Sequence, residues 1–315
     1  MTKRLLIVSL ILFLSSPIFA LLEVHFVNVG QGDAALINCD GHWGIIDGAD
    51  TKGAQMLFSY INDVCKVPSF DLVVLSHSDK DHVGGMRGAI QDKLTNNSIV
   101  WFDEDPSNTS RWFTSFKEYV NSCKCKETKK PDLGQPYQLG GCLITVIGPT
   151  SDFGDRNNNS IIIRIDYKGK SFIFMGDAEW KAQNGLINEY VTANADLGFF
   201  NYSPMLNCDV LKVAHHGGSI DEGTETTVSY TLLRSMHPKF AVISVGIENR
   251  YSHPHPNTLS RLIQSECNIF RTDCHGTIVF AVNDSGILSL KTEKQNGNPW
   301  MDESLLPSVK RNNTN

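Results

Sequence analysis

The stretch Leu72-Val73-Val74-Leu75-Ser76-His77-Ser78-Asp79-Lys80-Asp81-His82-Val83-Gly84-Gly85-Met86 runs from an apolar segment of strand type into a tight loop carrying four potential metal ligands. It then passes through Gly-Gly into an apolar segment of helical type. Imidazole nitrogens and carboxylate oxygens at alternate positions can converge from one loop on two neighbouring cations. Two cations about 3.5–4 Å apart can hold a hydroxide and polarise a phosphoryl or carbonyl oxygen. The loop therefore points to hydrolysis, and the rest of the chain has to supply the missing ligands.

Around this loop the sequence alternates short strands with helices, the pattern of an α/β enzyme whose polar clusters lie in loops at strand ends. Leu22–Asn28, Ala34–Asn38 and Trp43–Asp47 read as strands between Gly, Asp and Asn turns. Met56, Leu57, Tyr60, Ile61 and Val64 give residues 52–65 a helical period. Further strands are predicted near residues 99–102, 142–147, 161–167, 171–175, 210–214, 241–245 and 277–282, with helices near 83, 111–122, 179–191, 226–236 and 256–265. No repeat of solenoid length and no low-complexity linker divides the chain.

Residues 1–20 read as a secretory signal peptide: Lys3 and Arg4, an apolar run Leu5–Leu14, Ser15-Ser16-Pro17, and Ala20 before the cut. The run is short for a bilayer span, and no later segment is long and apolar enough to be one. Export follows as an expectation, to a periplasm or beyond. Residues 21–292 are expected to form one hydrolase domain and residues 293–315 a flexible polar tail. The net charge of −6 becomes −8 without Lys3 and Arg4, which is not what a protein that coats nucleic acid usually shows but is compatible with a nuclease whose cations attract phosphate locally. Eight cysteines, all after residue 20, suggest disulfides in an oxidising compartment. Cys267 and Cys274 flank one short strand and can pair locally; Cys123-Lys124-Cys125 lacks a matching second pair and is a poor zinc knuckle.

Three more strand ends carry chemistry. Phe172-Ile173-Phe174-Met175-Gly176-Asp177 delivers a carboxylate after a turn-forming Gly; alone this is usually a helix cap, but with the His77 loop it can bridge two metals. Val210-Leu211-Lys212-Val213-Ala214-His215-His216-Gly217 delivers two adjacent imidazoles, one suited to ligate and the other to contact substrate or a ligand's far side. Asn249-Arg250-Tyr251-Ser252-His253-Pro254-His255-Pro256 offers Arg250 as a phosphate clamp and His253 or His255 as ligand, general acid or phosphate contact, against the plain alternative of a rigid proline turn. Asp33, in Val29-Gly30-Gln31-Gly32-Asp33, lacks the context of a nucleotide-binding loop and is expected to accept a hydrogen bond behind the metal loop. Asn159 and Ser160 are expected to contact the site from the start of a strand.

Taken together, Val27-Asn28-Val29-Gly30-Gln31-Gly32-Asp33-Ala34, Ser76 to Gly85, Asn159-Ser160, Met175-Gly176-Asp177, Lys212 to Ser219 and Tyr251 to Pro256 resemble a metallo-β-lactamase-fold hydrolase. More closely, the chain from Leu22 to Leu290 resembles the hydrolase domain of the bacterial competence proteins ComEC/Rec2 and their stand-alone relatives. The resemblance implies a four-layer αββα sandwich with the site at one edge between the sheets. It also implies two divalent metal ions, manganese or zinc. On that basis the expected ligands are His77 and Asp79 at one metal, and Asp81, His82 and His215 or His216 at the other, with Asp177 bridging. In the working assignment His215 ligates, while Asp81, His216 and His255 serve the reaction and Asn159, Ser160, Arg250 and His253 bind substrate. The loop of the wider superfamily reads His-x-His-x-Asp-His; Asp79 stands here at the second His, and this harder ligand favours manganese.

The expected activity is exported phosphodiester or nucleic-acid hydrolysis by a two-metal-activated hydroxide. Hydrolysis of a lactam, lactone or thioester is the rival chemistry, since fold does not fix function. A non-catalytic exported metal-binding module is the rival class, and the full ligand set speaks against it.

Overall fold

The computed structural model describes residues 21–194, 199–202, 204–220, 225–226, 228–294 and 301–302. The expected signal peptide and nearly all of the expected tail lie outside these residues. Two tail residues, Met301–Asp302, pair with Ser289 and Leu290 at a sheet edge.

Strand alternation builds the inner core. In Leu22–Phe26, Leu22, Val24 and Phe26 face a second sheet, and in Lys170–Phe174, Phe172 and Phe174 answer from the other side. The Phe26 and Phe174 rings stack across the two sheets with centroids 5.3 Å apart. Strands covered on both faces lose the alternation of polar and apolar residues. This explains the unbroken run at 72–75: Leu72 and Val74 join the inter-sheet core, while Val73 and Leu75 pack outward under helices.

The first sheet has nine strands in the order Met301–Asp302, Leu288–Thr292, Ile278–Val282, Leu22–Phe26, Ala35–Cys39, His42–Ile46, Leu72–Val74, Ile99–Trp101 and Glu127–Lys129. The second has seven, in the order Asn268–Arg271, Phe240–Ile243, Val210–Lys212, Lys170–Phe174, Ile162–Tyr167, Cys142–Gly148 and Pro136–Leu139. Each sheet is mixed. In the first, the pairs from His42–Ile46 to Glu127–Lys129 are parallel and the others antiparallel. In the second, the pairs from Lys170–Phe174 to Asn268–Arg271 are parallel and the others antiparallel.

Helices close the two outer faces. Arg111–Ser122 lays Phe113, Phe116 and Val120 on the first sheet at helical spacing, and Ser110 caps it by accepting the Phe113 N–H. Trp180–Tyr190, Tyr230–Met236 and Pro256–Gln264 bury Leu186, Leu233 and Leu262 on the second. The result is the four-layer αββα sandwich, two mixed sheets flanked by helices. Among the described residues no helix is long and apolar enough to cross a membrane.

Two expectations are modified. The helix expected from about Val83 starts at Lys80 and breaks into two single turns, Lys80–Val83 and Met86–Ala89. The Gly84-Gly85 pair between them presses on the loop after His42–Ile46: a Cβ at Gly85 would come within 2.4 Å of the Gly48 carbonyl oxygen. The local pairing of Cys267 with Cys274 does not occur. The strand Asn268–Arg271 separates them, leaving Cys267 buried and Cys274 exposed as free thiols. The disulfide is instead Cys39–Cys142, which ties the first sheet to the second; the other six cysteines are free.

Candidate metal centre

The parallel strands of both sheets point their carboxyl ends at one edge, where α/β folds gather their polar residues. Asp47 follows His42–Ile46, the His77–His82 loop follows Leu72–Val74, Asp177 follows Lys170–Phe174, and His215 and His216 follow Val210–Lys212. These segments are far apart in sequence and meet because the sheets are packed face to face.

Asp177 lies at the centre, with only 3% of its surface exposed. Its Oδ1 is 3.2 Å from His82 Nε2, and its Oδ2 is 3.8 Å from Nε2 of each of His77, His215 and His216. The Ser160 hydroxyl accepts the Asp177 backbone N–H at 3.0 Å. Gly176 makes the preceding turn at φ +54°, and a Cβ there would press on Ser160 and Ser76 at 2.9 Å. His82 is fully buried, and its Nδ1 meets Asp47 Oδ2 at 2.8 Å. Asp47 also accepts the Ser76 N–H and hydroxyl, so one carboxylate fixes both the ring of His82 and the start of the loop.

His215 and His216 both adopt left-handed backbone, φ 47° and 52°, a conformation costing about 1–3 kcal/mol per residue outside glycine. The turn sends the two rings apart. His216 is buried, with Nδ1 held by the Ser244 carbonyl at 2.9 Å and Nε2 3.3 Å from Asp81 Oδ2. His215 stays partly open at the rim, with Nδ1 3.1 Å from Glu179 Oε1. Of the two histidines expected to divide ligation and catalysis, His216 clusters with Asp81 and His82, and His215 lies beside Asp177.

The remaining expected residues divide by position. Asp79 has Oδ2 3.9 Å from His77 Nε2 and Oδ1 3.2 Å from an Arg156 guanidinium nitrogen. His253 packs on the rings of His215 and His216, centroids 5.5 and 6.2 Å away. His255 stands one ring further out, with Nε2 3.0 Å from the Tyr251 carbonyl. Ser160 is fully buried and faces Asp177 rather than open space. Asn159 borders a cleft of about 270 Å³ beside His77, its amide engaged by Asp152 and Phe153. Arg250 lies over the Tyr251 ring in a second cleft of about 700 Å³ beside Asp81. Asp33 pairs with Lys212 at 2.6 Å and has Oδ1 3.6 Å from His216 Nδ1, behind the site as expected.

Four residues without an assigned role prove to be in contact with the site: Asp47, Glu179, Lys212 and Arg156. Ile45-Ile46-Asp47-Gly48 has the same form as the Asp177 strand end and was a usable signal. A charge inside the apolar Val210–Ala214 run was another, since a buried lysine demands a partner. Glu179 and Arg156 carry no local mark.

The donors fit divalent cations. His77 Nε2, His82 Nε2, His216 Nε2 and Asp177 Oδ1 are buried and have no hydrogen-bond partner. Such orphaned groups cost about 1–3 kcal/mol each unless something satisfies them. Two sets, His77–His82–Asp177 and Asp81–His82–His216, each bring three ligand atoms within 4.8 Å of one another. Electrostatics agrees. Burial opposes charge on the His82 and His216 rings, yet Asp177 with Asp47, and Asp177 with Asp33 and Asp81, outweigh it, raising His82 and taking His216 up to about 9. Burial opposes the Asp177 carboxylate too, but the surrounding imidazoles hold its pKa well below the usual range. Protons on these rings balance the carboxylates, and bound cations would take their place.

No family model matches the chain. A solved structure, the metallo-β-lactamase-fold protein YhfI from Bacillus subtilis, superposes over 82% of this chain and 98% of its own, with a TM-score of 0.50 and 12% identity. The chain has the metallo-β-lactamase fold. This metallo-β-lactamase-fold chain is also related to bacterial competence proteins. It is 26% identical over 278 residues to ComE operon protein 3 of Bacillus subtilis, covering 82% of this chain and 33% of that protein. It is 27% identical over 282 residues to Recombination protein 2 of Haemophilus influenzae, covering 87% and 30%. The chain thus spans about a third of the length of these relatives.

Proposed function

We propose that this chain is a metal-dependent phosphodiesterase acting on nucleic acid. The observation that carries this reading is the larger cleft beside Asp81. Lys52 and Arg250 supply cations for phosphates, in a mixed lining where Lys80 pairs with Asp50 at 3.2 Å and Asp81 and Glu248 are also present, while Met56, Ile247 and Tyr251 supply apolar faces for sugars and bases. The name of Recombination protein 2 supports nucleic acid as the substrate class.

His77, Asp79 and Asp177 would hold one cation, and Asp81, His82, His216 and Asp177 the other. The cations, when bound, supply Lewis-acid polarisation and acidify a water molecule. Asp79 favours manganese through its hard oxygen. The protein's own groups do the rest. Asp47 orients His82, the Ser244 carbonyl orients His216, and Ser160 fixes the backbone of Asp177. Glu179 steadies His215, whose other nitrogen faces the centre and is placed to deliver a proton to the leaving oxygen. Export remains the expectation drawn from residues 1–20.

Cleavage of single- and double-stranded DNA and of a small phosphodiester, with manganese, zinc or chelator, tests the reading against a chromogenic lactam. Manganese-dependent DNA cleavage exceeding lactam turnover is expected. His215→Ala should lower kcat about 10²–10⁴-fold with metal content unchanged, whereas His216→Ala should lose metal. Efficient lactam or thioester turnover without phosphodiester cleavage would transfer the function to the rival chemistry. Full metal occupancy without any turnover would favour the binding module.

A further inference from the structure

Arg156 comes from the loop before Ile162–Tyr167 and reaches into the smaller cleft beside His77. Among the described residues it is the one Lys or Arg in that lining. Its Nε donates to Asp105 Oδ2 at 2.7 Å, and one Nη donates to Asp79 Oδ1 at 3.2 Å. Asp105 is itself well anchored: it accepts the hydroxyls of Ser78 at 2.5 Å and Ser107 at 2.6 Å. Asn108 from the same loop donates to the Ser78 carbonyl at 2.8 Å. The other acids that share the cleft have other partners, Asp103 with Lys130, Asp155 with Lys181, and Asp152 with the Asn159 amide and the Gly154 N–H. Arg156 is therefore committed to Asp79 and Asp105 rather than spread over the lining.

Asp79 needs such a partner. Its side chain is 38% exposed and, unlike Asp177, is not walled in by protein. One oxygen faces His77 while the other is held by the guanidinium. An imidazole at this position would be a broad, stiff ring; a carboxylate on a short exposed stem can swing into water. The planar fork of arginine fixes two carboxylates at once, which a lysine ammonium does not do in the same geometry.

We propose that Arg156 is a positioning residue that locks Asp79 as a metal ligand, a role that rests on reading Asp79 as a ligand. A simple bystander cation would have the opposite effect: its removal would lessen repulsion and tighten metal binding. Loss of an outer partner that orients a ligand weakens metal binding about 10–100-fold. The two roles thus differ in sign.

The test is calorimetric titration of the metal-free full chain with manganese alone, with circular dichroism and melting temperature as fold checks. Arg156→Gln should weaken manganese binding at least tenfold, and Arg156→Lys should recover part of the loss. Asp105→Asn, which frees the arginine but keeps its charge, should also weaken binding. Unchanged or tighter binding by Arg156→Gln, while Asp79→Asn binds weakly, overturns the role of Arg156. Unchanged binding by Asp79→Asn overturns the reading of Asp79 as a ligand and the proposal with it. Phosphodiester turnover does not enter the measurement, so failure of the proposed activity would be seen separately.

Discussion

Asp177→Asn is expected to lower turnover by more than 10³-fold and to reduce bound metal from two ions to at most one. The substitution keeps volume and shape, so folding should be nearly unaffected. What it removes is the charge at the centre of four imidazoles: Oδ1 lies 3.2 Å from His82 Nε2, and Oδ2 lies 3.8 Å from His77, His215 and His216. An amide offers one weak oxygen donor where the carboxylate offers two charged ones. A 10³-fold loss corresponds to about 4 kcal/mol of transition-state stabilisation. Turnover should be measured with elemental analysis and circular dichroism on the same preparation. Near wild-type turnover with two metals retained would show that Asp177 does not bridge.

The second large effect concerns stability. Lys212 and Asp33 form an ion pair at 2.6 Å with side-chain exposures of 4% and 7%. Lys212 comes from the second sheet and Asp33 from the loop leading into Ala35–Cys39 of the first. Lys212→Met keeps the length of the stem but leaves the Asp33 carboxylate buried without its partner. Breaking a buried pair from one side costs about 3–5 kcal/mol. The double variant Asp33→Asn/Lys212→Met should regain part of that, because it leaves no uncompensated charge. Denaturant unfolding of the wild type and both variants measures the difference. A single-variant loss below about 1 kcal/mol would mean that His216, 3.6 Å away, or water compensates Asp33 despite its burial.

The strand ends were legible in the sequence because an apolar run that stops at Asp or His has few structural explanations when several such runs occur together. The His77–His82 loop, Asp177 and the His215-His216 pair were found this way. Which of the two histidines enters the buried cluster was not legible: it depends on two consecutive left-handed residues, and composition does not encode that turn. The roles of Glu179 and Arg156 depend on partners 36 and 77 positions away, His215 and Asp79. The Cys39–Cys142 bond depends on how the sheets stack, so spacing leaves the connectivity open and offers only a local option such as Cys267 with Cys274. Glu127–Lys129 is not legible in the sequence because a polar, mostly exposed edge strand has no apolar signature.

Cys39 lies at the end of its strand remote from Asp47, since Cys39 pairs with His42 while Ala35 pairs with Ile46. Cys142 is likewise remote from Ser160, at the opposite end of its strand from Gly148, which pairs with Ile162. The sandwich is therefore bound like a book, with a covalent spine at one end and an ionic clasp at the fore-edge. Opening the clasp leaves the spine intact, so loss of metal should loosen the pages without scattering them. A divalent cation bound at the clasp would raise stability by mass action, growing with the logarithm of its concentration over its Kd for the closed book. Chelation and reduction should then lower the melting temperature by more together than the sum of their separate effects; strict additivity would mean that spine and clasp do not share one opening motion.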